Sequence, residues 1–514
     1  MPYTETTMKT GFALGNAKRK FCADRPAVPG RTVVISAMAA FLSAACVMGP
    51  DYKRPDVNVP QAWRLDDAGS SVVANTAWWE GFQDSQLNAL IREALSNNYD
   101  VRAAAARVQQ FKSALKVDQS AEYPQASYDL NVGRDRLTEN NQVPLPAYVA
   151  PMYYQHIVAA DASYELDLWG RVRRSTEAGL AELLYSEEGQ RTVVLTLVSD
   201  VASAYLQLLS LDKQLQISRE TLKNREDALK LSEDRFTGGV SSALELAQVK
   251  ALYEEAAAAV PDYEKRVELQ ENALSVLVGR NPGPITRGST FDALTLPGVP
   301  GGLPSDILKR RPDVRAAEQL IVASNARIGE AKTEYFPTLS LTSQVGFESS
   351  ELYNWLHGSS MFGELFGGSI TGTIFNGGKI GADVDKAKAI TDENTAKYQK
   401  TVQTAFSDVD NALISHKKTG EQAAAIDLEV NALKDYAHLA EQRYEGGYSS
   451  YIEVLVAERS LYTAEIADVQ AKSDNYTALV GIYKAMGGGW PIDKDPIDKT
   501  APVAGSDTKR EAKS

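Results

Sequence analysis

The twelve residues RFTGGVSSALEL that begin at Arg235 return as RYEGGYSSYIEV at Arg443. The arginine, both glycines, both serines and the glutamate keep their places, and 443 − 235 gives an offset of 208 residues. DVRAA at Asp100 recurs at Asp313, an offset of 213, and the same offset relates Tyr123-Pro124 to Phe336-Pro337 and Gly133 to Gly346. Trp169-Gly170-Arg171-Val172 aligns with Gly377-Gly378-Lys379-Ile380, now at 208. A register that holds over such distances and slips once, by five residues, marks a duplicated half. The fold should therefore contain a pseudo-twofold internal repeat.

Each copy writes the same elements in order. A helix is expected from Asp84 to about Glu122 and again from Ser305 to about Glu334, with Asp84 and Ser305 at the capping positions. Two alternating stretches follow in each copy, predicting strands at 125–135 and 153–168, then 338–348 and 366–376. Their apolar positions are Tyr128, Leu130 and Val132; Tyr164, Leu166 and Leu168; Leu339, Leu341, Val345 and Phe347; Ile370 and Ile374. Then comes a very long proline-free helix, about Val172 to Phe236 and about Ile380 to Tyr444, each roughly 100 Å long at 1.5 Å per residue. Val194, Val201, Leu208, Leu215, Leu222, Leu229 and Phe236 form an unbroken seven-residue line, one seam of a coiled coil. The matching line Val402, Val409, His416, Ala423, Val430, Ala437, Tyr444 is weaker, and His416 reads as a packed or rim residue.

The repeated twelve residues then form the turn at the end of each rod. Gly238-Gly239 and Gly446-Gly447 supply left-handed backbone that stops a helix. The serine pair caps the next helix, with Glu245 and Glu453 three residues after Ser242 and Ser450. The chain returns over Ala243–Val278 and Tyr451–Met486. Stacked end to end, returning helix and first helix total about 75 residues, about 110 Å, so each copy makes two rods of similar length.

The ends of the chain say where it works. Lys18, Arg19, Lys20, Arg25 and Arg31 precede TVVISAMAAFLSAAC, a basic region, a short apolar run and small residues, so 1–45 reads as a secretory signal. Ser43-Ala44-Ala45-Cys46 resembles a bacterial lipobox with its leucine displaced to Leu42, which would make Cys46 an acylated first residue. The alternative is an ordinary signal with an incidental cysteine. Val47 follows rather than aspartate, so no inner-membrane retention signal is present. Cleavage would remove Cys22 and leave no free thiol, as suits an oxidising envelope. The remaining spans are an extended segment at 46–83, repeats at 84–280 and 305–487, a linker at 281–304 and a polar tail, expected to be disordered, at 488–514. Downstream of the leader no run is expected to be a membrane helix, so a mature chain that crosses a membrane must do so as strands.

Net charge of −13 argues against nucleic-acid partners. His156, His357, His416 and His438 lack ligand spacing, and no metal, cofactor or nucleophile–base motif appears. Asp408 and Asp410 read as an inter-rod polar face rather than catalytic acids. Four strands cannot close a spanning barrel, and an open edge cannot face lipid, so the chain must share a barrel with other copies. Three copies would give twelve strands.

CVMGPDYKRP, Trp63, WWEGFQDSQLNALIREALSNNYDVRAAAARV, YFPTLSL, IFNGGK, AFSDVDNAL and RYEGGYSSYIEVL fall in an order that resembles TolC-like outer-membrane efflux lipoproteins of the NodT type, over Cys46 to Trp490. The resemblance implies a mixed α/β, mostly helical membrane protein: a trimeric, twelve-stranded outer-membrane β-barrel continued by a periplasmic α-helical barrel. It implies a periplasmic adaptor and an inner-membrane resistance–nodulation–division pump as partners, with export of small molecules such as drugs. It also implies that the tips close the periplasmic end, placing Glu245, Glu453, Tyr444, Tyr451, Ile452 and Arg459 at the gate. Val456 stands where relatives carry aspartate, so the gate's charge rests on Glu453 or gives way to an apolar ring. Two other readings remain at this stage: a lipid-anchored coiled-coil scaffold without a pore, and an exit duct for protein secretion.

Overall fold

The computed structural model describes residues 47–60, 63–64, 77–138, 150–299 and 304–488. The leader, Cys46 and most of the tail lie outside the described residues.

The first copy runs α1 (Ser85–Asn97), α2 (Tyr99–Ser120), β1 (Gln125–Arg136), β2 (Met152–Leu166), α3 (Arg171–Thr237) and α4 (Ala243–Leu277). The second runs α5 (Pro304–Arg310), α6 (Pro312–Thr333), β3 (Thr338–Ser349), β4 (Met361–Thr371), α7 (Lys379–Glu445) and α8 (Tyr451–Ala485). Helix lengths match across the copies: 22 residues in α2 and α6, 67 in α3 and α7, 35 in α4 and α8.

The expected first helix is broken in both copies. Asn98 is extended, and its side chain accepts the Asp100 and Val101 N–H groups at 2.8 and 3.1 Å. Its amide also donates to the Leu277 carbonyl at 2.9 Å, so α4 ends where α2 begins. Arg311, 213 residues after Asn98, holds the equivalent joint. It donates to the Ala485 carbonyl at 3.3 Å and pairs with Asp313 at 2.6 Å and Asp408 at 3.0 Å. Pro312 accounts for that break, because it disfavours helical backbone in the residue before it and suits a first helical position. The stacked rod is thus α2 plus α4, or α6 plus α8, about 86 Å rather than 110 Å. The piece left over, α1, lays Leu87, Leu90, Ile91 and Ala94 into the core beside α3. Asp84 caps α1 by accepting from Gln86 and Leu87, whereas α5 starts at Pro304, one residue before the expected cap Ser305.

The main core surrounds the middle of α3, where Val201, Tyr205 and Leu208 are wholly buried. Along the seven-residue line burial then fades: Leu222 and Leu229 are half-buried and Phe236 is exposed. In α7, Val402, Val409, Ala423 and Val430 are buried, and His416 is half-buried with Nδ1 3.4 Å from the Asn475 carbonyl. One 18-residue window of α3 is apolar enough to cross a membrane, contrary to the expectation from sequence. More than half of it is buried against neighbouring helices, which is where its apolarity is used.

The sheet is antiparallel in the order β1-β2-β3-β4. The last strand lies five residues earlier than expected, at 361–371, because Met361 finds Phe347 as a partner and Thr371 pairs with Thr338. The next partner would be Pro337, which has no N–H to extend the ladder. Ile374, expected in the strand, lies beyond it and is exposed, as does Leu168 after β2. An irregularity between Thr342 and Gln344 shifts the β3–β4 register.

Residues 47–60 run as an extended strap. Met48 N–H donates to the Trp169 carbonyl at 3.0 Å, Arg174 reaches the Met48 carbonyl and Asp51, and Asn325 donates to the Pro50 carbonyl at 2.8 Å.

Candidate functional site: two helical tips and a two-faced sheet

Both tips end their rods in the same way. Val240 N–H returns to the Arg235 carbonyl and Gly239 N–H to that of Phe236; Tyr448 and Gly447 repeat this onto Arg443 and Tyr444. These bonds define a Schellman stop. Only the second glycine of each pair is left-handed, Gly239 at φ +72° and Gly447 at φ +74°. Gly238 and Gly446 are right-handed, so the expectation holds for half of the four. Ser242 caps α4 by accepting the Glu245 N–H at 3.2 Å. Ser450 makes no side-chain cap, and the Glu453 N–H bonds its carbonyl instead, at 3.1 Å.

The second tip has a small core of its own, Ala440, Val454 and Ala457, flanked by Ala437, Tyr444 and Tyr451. The Tyr444 and Tyr451 rings meet at 4.8 Å, and the Arg235 guanidinium lies 5.3 Å from the Tyr444 ring, linking the two tips. Burial pushes the Tyr451 hydroxyl up to about 12, helped by the charges of Glu458, Tyr444, Glu441 and Glu245. Glu245 of the first tip therefore lies within electrostatic reach of Tyr451 of the second. Ile452 and Val456 are about half exposed, at 46% and 51%, and Arg459 faces Glu255 at 3.7 Å. Glu453 is half-buried in the first turn of α8.

Sequence reasoning missed a polar node higher up the rods. Arg225 of α3 is 3% exposed and donates to the Leu252 carbonyl of α4 at 2.7 Å. Its guanidinium lies 5.5 Å from the Tyr462 ring of α8, whose hydroxyl is 3.0 Å from Ser218 Oγ. The available signal was a fault in a buried line: Leu211, Ser218, Arg225 and Ser232 recur every seventh residue and all are buried, yet three are polar. Asp408 and Asp410 do tie elements together, the first through Arg311 and the second through the Arg64 N–H at 3.2 Å.

The sheet has two chemically opposite faces. Tyr128, Leu130 and Val132 pair with Ala160, Val158 and His156, which pair onward with Val345, Phe347 and Ser349. Paired residues share a face, so this one is largely apolar, and Tyr128 is 86% exposed on it. The other face carries Asp129, Asp135, Asp161, Glu165, Glu348 and Glu364 and no paired lysine or arginine; the paired arginines, Arg134 and Arg136, lie at the far end of the apolar face opposite Tyr154 and Met152. Gln344 donates to Asp161 at 2.7 Å and Gln155 to Glu348 at 3.0 Å. Arg171 neutralises Glu165 through two bonds of 2.9 and 2.6 Å where the sheet meets α3.

The outer membrane efflux protein family model matches this chain twice, over residues 90–280 and 303–488, one match per repeat. The chain belongs to that family. It is 35% identical over 467 residues to the probable efflux pump outer membrane protein TtgC of Pseudomonas putida, covering 90% of this chain and 96% of that one. It is 32% identical over 463 residues to the cation efflux system protein CusC of Escherichia coli, covering 88% and 97%. Among solved structures, the open state of the Neisseria gonorrhoeae MtrE outer membrane channel superposes with a TM-score of 0.77 at 31% identity, covering 86% and 98%. The Campylobacter jejuni CmeC outer membrane channel superposes at 0.80 and 26%, covering 88% and 96%. This efflux protein is thus a TolC-like outer-membrane channel, the exit duct of a tripartite efflux pump.

Proposed function

We propose that three copies of this efflux protein close one twelve-stranded barrel, continue it as a ring of rods, and constrict it at the paired tips. The observation that carries this reading is the sheet: two edges, β1 and β4, unpaired among the described residues, an apolar face and an acidic one. Unpaired strand edges are not tolerated in hydrocarbon, so each β1 must find the β4 of a neighbour. Closure puts Tyr128, Leu130 and Val132 toward lipid and the carboxylates toward the lumen.

The tips then bring Glu245, Glu453, Tyr444, Tyr451, Ile452, Val456 and Arg459 of each copy toward the axis. Six carboxylates there favour cations and repel anions at close range. Val456 adds an apolar element, consistent with its exposure. Acylated Cys46, at the head of the strap, would anchor each copy in the membrane. A periplasmic adaptor and an inner-membrane resistance–nodulation–division pump complete the path, with small toxic molecules such as drugs as cargo. TtgC, CusC and their kin carry efflux names, which supports this reading over a poreless scaffold or an exit duct for protein secretion.

The test is single-channel recording of the purified protein in a planar bilayer, with its assembly state read in parallel. A heat-labile trimer passing small cation-selective currents is expected. Stable monomers that never insert would overturn the reading.

A further inference from the structure

Apolar clusters join the rods along their middle and at the second tip; between the two, buried apolar residues such as Val249 and Ala256 of α4 and Val430 of α7 belong to neither cluster. The large core reaches Leu215 and Ile217 on α3 and Tyr462 and Ile466 on α8. The tip cluster joins α7 and α8 only. In the gap, Arg225 of the first hairpin (α3–α4) meets α8 of the second hairpin (α7–α8). It does so almost fully buried, with one N–H on the Leu252 carbonyl and Nε and Nη2 without hydrogen-bond partners. The groups facing it are Glu255 from α4 and Glu458, Arg459 and Tyr462 from α8, with Glu441 of α7 next to Glu458. A guanidinium buried with donors to spare is a weak adhesive compared with a leucine, and it depends on its charged and aromatic neighbours.

The repeat shows that the node is specific. At the offset of 208 residues, Arg225 corresponds to Leu433, Glu458 to Lys250 and Tyr462 to Glu254. The duplicated hairpin has no such cation. Packing within the chain joins α3 to α8 but gives α7 no comparable contact with α4. The node therefore sits only at the seam where one chain's own hairpins meet.

We propose that Arg225 is a positioning residue for gating: bonded to the Leu252 carbonyl of α4 and set against the Tyr462 ring of α8, it ties the first hairpin to the second within one chain and keeps the tips in their resting arrangement. The inference rests on the duct reading given above. Among the described residues, the Arg235–Tyr444 contact connects the tips below the node and the exposed Arg459–Glu255 pair joins the hairpins beside it, so release of Arg225 removes the buried tie and leaves weak ones. Burial raises the Glu458 carboxyl above its ordinary range, with Arg225 opposing and Glu441 adding to the rise. Glu458 therefore takes up a proton earlier on acidification than an exposed glutamate. Protonation removes one of the two carboxylates that face Arg225, Glu255 being the other, so the tie weakens as pH falls.

The test compares the wild type with Arg225→Met, Arg225→Lys and Glu458→Gln in the full-length protein, with Arg219→Met as a control at an exposed ion pair (Arg219–Glu264, 2.7 Å). Spin labels at Val240 and Tyr448, both exposed at the tips, report hairpin separation in each background. Arg225→Met should widen the label-to-label distribution and raise mean bilayer current roughly threefold or more, as loss of a tie shifts a two-state equilibrium. Trimer melting should stay level or rise, since a buried cation is exchanged for an apolar chain of similar reach. Arg225→Lys should restore part of the effect. Glu458→Gln should hold the acid-side current at neutral pH and flatten the pH profile. If Arg225→Met assembles with wild-type label distances and a wild-type pH profile, the inference is wrong. If the wild type conducts nothing but the labels move in Arg225→Met, the tie stands and the duct reading alone is in question.

Discussion

Leu130 and Asn131 are neighbours in β1 whose side chains take opposite faces of the sheet. A strand of 12 residues extends about 40 Å, or about 30 Å along the membrane normal at the usual barrel tilt, and Leu130 is the sixth of them. It therefore sits close to the midplane of the apolar band. An arginine on the lipid face at that depth costs about 2–4 kcal/mol, and a closed trimer would carry three, about 6–12 kcal/mol in all. That approaches the whole stability of an ordinary domain. Leu130→Arg should therefore fail to accumulate as heat-labile trimer in the outer-membrane fraction. Asn131→Arg places the same charge one residue on, in the lumen beside Asp129 and across from Ile157 and Glu348. It should assemble normally and lose part of its cation preference in planar bilayers. Temperature-stepped electrophoresis and urea titration of the two variants in one detergent give the comparison. Equal loss in both, or loss in Asn131→Arg alone, would refute the facing of the sheet and with it the shared barrel.

Alanine at Gly239 or Gly447 must adopt positive φ and should cost about 1–2 kcal/mol each, whereas alanine at Gly238 should stay within about 0.5 kcal/mol; thermal melts of the trimer distinguish them. Asn98→Ala removes two capping bonds and the link to the Leu277 carbonyl, and should destabilise by about 1–2 kcal/mol with faster amide exchange at the α2–α4 joint. Tyr451 is neutral in the folded tip up to about 12, while an unfolded tyrosine ionises near 10. Tyrosine stabilisation of the fold should thus be full below about 10 and be lost as pH rises toward 12, with Tyr451→Phe removing that loss in ultraviolet pH titration and melting. Glu245→Gln with Glu453→Gln should lower cation selectivity measured by reversal potential, and unchanged selectivity would leave both residues as helix-start groups only.

The duplication made most of this architecture legible, because a repeated sequence must supply repeated elements. It could not show the breaks at Asn98 and Arg311. At Asn98 the interruption is fixed by contact with the Leu277 carbonyl, 179 residues away, whereas at Arg311 a local signal was present in Pro312 and the repeat register passed over it. The end of β4 was likewise set across the sheet, by Pro337, rather than by its own glycine-rich stretch. At the tips, the pattern marked the turn correctly but treated each glycine pair as equivalent, and only the hydrogen-bond geometry separates Gly239 from Gly238. Arg225 shows the deeper reason. A seven-residue count searches for apolar residues and passes over a cation in the same line, yet a buried cation is where a coiled-coil seam is weakest. In a duplicated chain the informative positions are those at which the copies disagree. Leu433 against Arg225 and Arg311 against Asn98 both lie at contacts that differ in kind between the halves. The two copies keep rods of equal length and differ at these contacts, which is the arrangement a duct would need for its wall to stay rigid while one end moves.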